Sequence, residues 1–409
     1  MLEIDELKSD SSAHPVAMSI TRKTAPQRLR VLHVVARLGI GGTEKGILKV
    51  VDGLGGDQFE HRLCAVRGLD ANFAETANRA ARAYSVGTST PGMQFPLFRL
   101  AKIMREFRPH IVHSRNFGAL DAIPAARLTG VPVVVHSEHG YELDILAGLP
   151  LRRRVLCRAF YPMADAWFAV TKELCAYHAR QSWMPAQKLR VLYNGVDTNR
   201  FAPQPAEGLQ VRRQLCIPED RIVVGSVGRL VAIKDHGTLL RAAESVIQQG
   251  KNLHVLLVGN GPELPKLQSY VKNSSALNLR CTFTGASEDV PALMRVMDIF
   301  VLPSLSEGMS NTLLESMGSG LAVLASHAGG NPEVVEDGCS GRLFPPGSES
   351  TLSAMLANLV DDPVLRRTLG AAARERAVQK FSLAAMIQSY RDLYNELAER
   401  RGITGKAGT

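Results

Sequence analysis

With 409 residues, 45% of them hydrophobic and 21% charged, the chain has material for two globular domains, and it lacks the run of about 18 apolar residues that a membrane span needs. The net charge of +9 is lopsided: residues 1–200 hold 27 Lys and Arg against 18 Asp and Glu, whereas residues 201–409 hold 21 of each. Six cysteines, at 64, 157, 175, 216, 281 and 339, form no CxxC pair and no metal-type spacing, which argues against a zinc site or disulfide framework and suits reduced thiols in the cytoplasm.

Residues 1–28 are polar and mixed in charge, without the apolar core and cleavage site of a secretory signal, and read as a flexible N-terminal extension. Short β-branched runs then alternate with longer amphipathic stretches, the rhythm of βαβ units. Strands are predicted at 31–38, 61–66, 110–114, 132–137, 166–171 and 190–194, with helices between them, such as 43–54. The segment "LRRRVLCRAF" (151–160) is basic and apolar by turns, a pattern shared by membrane-touching helices and by surface helices with an apolar inner face. The rhythm breaks at "NGVDTNRFAPQPAEG" (194–208) and restarts with strands predicted at 221–230, 253–261, 279–285, 299–304 and 322–330. The fold class is therefore α/β: two Rossmann-like, doubly wound domains, 29–198 and 199–382, with ligands expected beyond the carboxyl ends of the strands. Residues 383–409 are expected to form a last amphipathic helix, followed by a tail; pattern alone does not place the helix, and it is expected to pack back toward the first domain.

The exit loops of the second half carry the chemistry. In "SVGRLVAIKDHGTLL", Arg229 follows a strand and Lys234 precedes a helix, two cations at one strand exit that suit a diphosphate. In "IFVLPSLSEGMSNTLLESMGSG", a buried-type strand runs into a turn of small polar residues, and Ser310 or Asn311 is a good N-cap for the helix that follows. Free amides at that helix start would face an anion in the same crevice. Glu307 lies on the loop and Glu315 one turn into the helix, seven uncharged residues apart. A carboxylate beside a phosphate is repelled, so both are assigned to sugar hydroxyls. The first loop fits neither common nucleotide fingerprint. Gly39 and Gly41 are followed by Glu44 where a dinucleotide site needs glycine, and Glu44 precedes Lys45 where a P-loop needs glycine.

"EGMSNTLLE" resembles the E-x7-E motif of family 4 glycosyltransferases, and the resemblance extends along the chain. "GIGGTEKGILKVVDGL" is similar to that family's glycine-rich first loop, "VLYNGVDTNRF" to its interdomain segment, and "VGRLVAIKDHGTLLRA" and "LLVGNGPELPKL" follow its order. The match spans roughly residues 30–400 and is closest in character to sugar transferases of exopolysaccharide clusters.

The resemblance implies a GT-B fold, two domains facing across a cleft, and retaining transfer of a sugar from a nucleotide-diphosphate sugar without a metal or other cofactor. It assigns Arg229 and Lys234 to the donor diphosphate, with Ser310, Asn311, Thr312 and Leu313 at the helix start completing that site. Glu315 would bind the ribose, Glu307 the donor sugar, and the backbone at Gly285 the base. Gly41 and Gly42 would let the first loop close over the phosphates, and His139, in "SEHGY", would reach the donor sugar. His33 and His113, inside strand patterns, read as packed or paired histidines. A glycan or lipid-linked acceptor is expected, with peripheral contact to an anionic membrane at the inner face suggested by the basic first half. Nucleic acid is not expected, because Lys and Arg are not interleaved with aromatics. Two rivals stay open: a sugar-nucleotide epimerase on the same architecture, and a catalytically silent sugar-nucleotide binding or scaffold protein.

Overall fold

The computed structural model describes residues 28–39, 42–56, 58–87, 96–141, 150–182, 185 and 188–403. Gly41 lies outside the described residues, as does all but the last residue of the 1–28 extension.

The first domain is a seven-stranded parallel sheet. Its strands are β1 (Leu29–Val35), β2 (Phe59–Ala65), β3 (Arg82–Ser85), β4 (Ile111–Arg115), β5 (Val133–Glu138), β6 (Ala166–Ala169) and β7 (Leu189–Val191), in the spatial order β3-β2-β1-β4-β5-β6-β7. The second domain is a six-stranded parallel sheet. It comprises β8 (Ile222–Val227), β9 (Leu253–Val258), β10 (Cys281–Gly285), β11 (Ile299–Leu302), β12 (Ala322–Ser326) and β13 (Arg342–Phe344), in the order β10-β9-β8-β11-β12-β13. Helices cover both faces, so the central strands are buried on both sides and are rich in apolar residues, as in β9 (LHVLLV, where His254 is the one polar residue) and β11 (IFVL).

Strand order reverses between β1 and β4 in one sheet and between β8 and β11 in the other. At such a reversal the flanking loops diverge and leave a crevice at the strands' carboxyl ends. Residues from both crevices line one interdomain cavity, which makes it the place to look for chemistry.

The chain crosses between domains twice, after β7 and again after the helix Pro363–Lys380. The crossings are stitched together: Val196 N donates to Phe381 O at 2.9 Å, and Leu383 N donates to Val196 O at 2.8 Å. The last helix, Leu383–Arg400, then packs Met386, Tyr390, Leu393, Tyr394 and Leu397 against Leu29, Val31, Phe59 and Phe168 of the first domain. The segment 151–160 is a helix whose one fully buried residue is Cys157, while Leu151 and Val155, one turn apart, are exposed. Its apolar side chains are thus divided between the interior and the surface.

Candidate active site in the interdomain cleft

The second domain supplies one wall. β8 ends at Val227, and the loop beyond it carries Arg229, exposed at the rim, and Lys234 in a short turn closed by Asp235. Asp235 sits at φ 45°, a left-handed position costly for a residue with a side chain, and caps the helix His236–Gln248 by accepting from the Thr238 amide. β11 ends at Leu302, and its exit loop is tied to the first by Leu305 N donating to Ile233 O at 2.8 Å. The next helix runs Asn311–Gly318 with Ser310 as N-cap, whose Oγ accepts from the Leu313 amide at 3.3 Å. The amides of Asn311 and Thr312 are thereby left at the helix's electropositive end.

Glu307 is 8% exposed, and its Oε1 takes two donors. Lys234 Nζ donates to its Oε1, and Ser304 Oγ donates to the same oxygen at 2.6 Å. The loop can turn this tightly because residue 329 is glycine: at φ +52° a Cβ there would lie 1.8 Å from the Glu307 carbonyl oxygen.

The first domain supplies the other wall. His139 follows β5; its amide donates to Asn116 Oδ1 at 2.9 Å, and its Nε2 lies 2.9 Å from Ser137 Oγ. Ser137 Oγ in turn is 2.8 Å from His113 Nε2, and His113 Nδ1 is 2.7 Å from the Tyr394 hydroxyl. Burial, reinforced by the nearby Arg115 charge, pushes the His139 pKa down to about 3, so the ring is neutral at physiological pH and offers hydrogen bonds but no charge. His33 and His113 are both fully buried and paired with polar neighbours. The walls touch at Gly308, where a Cβ would sit 2.7 Å from both Gly140 Cα and the His139 carbonyl oxygen.

Between the walls lies a cavity of about 530 Å³. His139, Arg229, Lys234, Glu307, Ser310, Asn311 and Thr312 all line it. Gly42 opens the helix Gly42–Leu54, whose Gly46 and Ile47 reach the cavity. Leu313 is different: its side chain is fully buried in the second domain's core and its amide is taken by Ser310. Glu315 and Gly285 also lie outside the lining, Gly285 at the end of β10, two strands from the order reversal, with its carbonyl accepting from Gly259 N at 2.8 Å.

The cavity also takes in residues that motif reading passed over: Arg115 at the end of β4, Tyr141, Glu173, Asn194, and Met386 with Tyr390 from the last helix. Arg115 carried a usable signal, because it is a cation at a strand exit just as Arg229 is. Met386 and Tyr390 carried none, since they reach the cleft through the docking of the last helix.

Two family models cover most of this chain: Glycosyltransferase Family 4 matches residues 40–200, and Glycosyl transferases group 1 matches residues 221–362. A GDP-mannose-dependent alpha-(1-6)-phosphatidylinositol monomannoside mannosyltransferase of Mycobacterium tuberculosis is 30% identical over 289 residues, 67% of this chain and 73% of that protein. The chain belongs to glycosyltransferase family 4. This family 4 glycosyltransferase is also 26% identical over 393 residues to the UDP-Gal:alpha-D-GlcNAc-diphosphoundecaprenol alpha-1,3-galactosyltransferase of Escherichia coli, covering 92% of this chain and 99% of that one. Among solved structures, Anabaena HepE in complex with UDP is similar with a TM-score of 0.78 at 19% identity, over 90% of this chain and 100% of HepE. The two sheets facing across a cleft are the GT-B fold.

Proposed function

We propose that this enzyme transfers a sugar, with retention of configuration, from a nucleotide-diphosphate sugar to a lipid-linked glycan acceptor in exopolysaccharide or other cell-surface polysaccharide assembly. The observation that carries the proposal is the convergence of Arg229, Lys234 and the open end of helix Asn311–Gly318 on one cavity beside Glu307.

In glycosyl transfer the hard event is departure of the nucleoside diphosphate, because negative charge grows on it as the sugar becomes oxocarbenium-like. Cations and amides aimed there beforehand lower that barrier without reorganising in the transition state. They supply the neutralisation that a metal ion gives elsewhere, so a metal-independent reaction is proposed. Glu307 positions Lys234 and offers its carboxylate to donor-sugar hydroxyls, and the neutral His139 ring adds a hydrogen bond from the other domain. Both carboxylates that line the cavity among the described residues are already engaged, Glu307 by Lys234 and Ser304, and Glu173 by the Tyr141 hydroxyl. The route proposed is front-face attack by the acceptor hydroxyl, with the leaving phosphate taking its proton. In the donor site, Glu315 is assigned to the ribose and the Gly285 backbone to the base.

Work at the inner membrane face is supported by the exposed Leu151 and Val155 on a helix bearing Arg152, Arg153, Arg154 and Arg158, and by the phosphate-bearing lipid acceptors named for the two relatives. No helix among the described residues is long and apolar enough to cross a membrane. The deciding experiment is a transfer assay with UDP- and GDP-linked sugars in EDTA, run on the wild type and on Lys234→Ala. Turnover in the wild type and a loss of about 100-fold or more in the variant are expected; undiminished turnover in the variant would refute the site, and nucleotide binding without turnover would favour the silent binding protein.

A further inference from the structure

β4 ends at the order reversal of the first sheet on Arg115, a side chain only 1% exposed that lines the cleft. Its Nη1 donates to His33 Nδ1 at 2.9 Å, and His33 Nε2 lies 2.9 Å from His61 Nδ1. Since His33 Nδ1 accepts, the ring carries its proton on Nε2 and donates it to His61. Burial first, and the Arg115 charge second, hold His33 well below its usual pKa and bring His61 down to about 4. The guanidinium therefore rests on two neutral rings. The Tyr390 and Tyr394 hydroxyls come near it, but Nε and Nη2 complete no hydrogen bond among the described residues, and no carboxylate there pairs with it.

A buried cation without a counter-ion is costly, and arginine cannot escape by losing its proton. The backbone beside it is also under load. Asn116 sits at φ 57° and ψ 165°, unusual for a residue with a side chain, locked by its amide to Ser137 O at 2.8 Å and by its Oδ1 to the His139 amide. Strain of this kind is concentrated at functional sites. The fork of an arginine fits a phosphate or carboxylate. Arg229, Lys234 and the helix amides on the other domain already serve the donor diphosphate, whereas Arg115 comes from the acceptor's domain.

We propose that Arg115 binds a phosphate of the acceptor and so selects phosphorylated, lipid-linked acceptors over neutral glycosides. This rests on the lipid-linked acceptor reading above, and the test separates the two. The first measurement is thermal stabilisation of wild type and Arg115→Met by geranyl diphosphate, in the presence of whichever of UDP and GDP stabilises the wild type. The variant should keep the nucleotide shift and lose the geranyl diphosphate shift. The second compares KM for a prenyl-diphosphate-linked sugar and for the octyl glycoside of the same sugar. KM for the former should rise by about ten- to a hundredfold, the worth of a charged hydrogen bond, with kcat and the octyl glycoside KM nearly unchanged. Arg115→Lys, which keeps the charge but not the fork, should fall between and serves if the methionine variant does not fold. A geranyl diphosphate shift that is absent in the wild type, or equal in wild type and variants, overturns the proposal. Loss of the nucleotide shift also overturns it, by assigning the guanidinium to the donor. An Arg115-dependent shift without sugar transfer to either acceptor upholds the phosphate site and refutes the transfer reading.

Discussion

Replacing Glu333 by Gln should open the cleft. Glu333 belongs to the second domain, yet its two carboxylate oxygens accept from the Lys172 and Glu173 amides of the first, each at 2.9 Å. Those amides begin the helix Lys172–Ser182, and the third, Leu174 N, is satisfied within its own domain by Thr171 Oγ1 at 3.2 Å. Glu333 is thus an N-cap supplied across the domain interface, aided by the helix dipole and by a 3.2 Å hydrogen bond from the Tyr193 hydroxyl. An N-cap is worth roughly 1 kcal/mol, and the charge at a helix start adds about 0.3–1 kcal/mol at a partly exposed site. The neutral Gln keeps one acceptor oxygen, so a loss of about 1–2 kcal/mol is expected, a shift of about 5- to 30-fold from closed toward open. Because the contact lies between domains, that energy should act on closure more than on the stability of either core. Small-angle scattering should show a larger radius of gyration for Glu333→Gln, and donor affinity should weaken by no more than the same factor. A fall in melting temperature with scattering and donor affinity both unchanged would refute the reasoning, by showing that the cap supports only the local fold.

Gly308→Ala should be far more harmful than a surface methyl normally is, because the new Cβ would meet Gly140 Cα and the His139 carbonyl at 2.7 Å. Transfer should fall by about tenfold or more through misplacement of the two walls, with circular dichroism unchanged; wild-type activity would show that the walls do not need this approach. Stability should also decline with acid. His61, His236 and His254 are each held down to a pKa of about 4, by burial first and then by neighbouring Arg115, Lys234 and Arg221 respectively. Unfolded, they take a proton near pH 6.5; folded, they refuse it until about pH 4, so unfolding binds protons in that window. Their contribution is fully present above pH 6.5 and is lost as pH falls, at roughly 1 kcal/mol per pH unit for each histidine. Melting temperatures measured from pH 7.5 to 4.5 should drop steeply below 6.5, and a flat profile would contradict these three burials.

The central strands were legible because a strand buried on both faces is rich in apolar residues, as β11 (IFVL) is throughout and β9 (LHVLLV) is apart from His254. The same logic missed β3 (RAYS) and β13 (RLF), edge strands with partly exposed side chains whose pairing depends on a neighbour already being in place. The second-domain wall was legible too, since Arg229, Lys234, Glu307 and Ser310–Thr312 lie on consecutive exit loops where local turn chemistry places them. The strand predicted to end at Ser114 stopped one residue short of Arg115, and a place at a strand exit does not by itself tell a buried cleft arginine from a surface one. Its meaning comes from burial, from His33 and His61 on neighbouring strands, and from the last helix folding back across the first domain.

By itself, the sequence determined the parallel α/β architecture, the family and the second-domain wall of the cleft, because hydrophobic periodicity and N-cap chemistry act over a few neighbouring residues. Only the tertiary structure decided that Lys234 is held by Glu307, that Glu333 caps a helix of the opposite domain, and that Arg115 is buried without a counter-ion among the described residues. Each of those depends on which groups from distant parts of the chain are brought together or kept apart, and electrostatic and hydrogen-bond energies are set by distance in space.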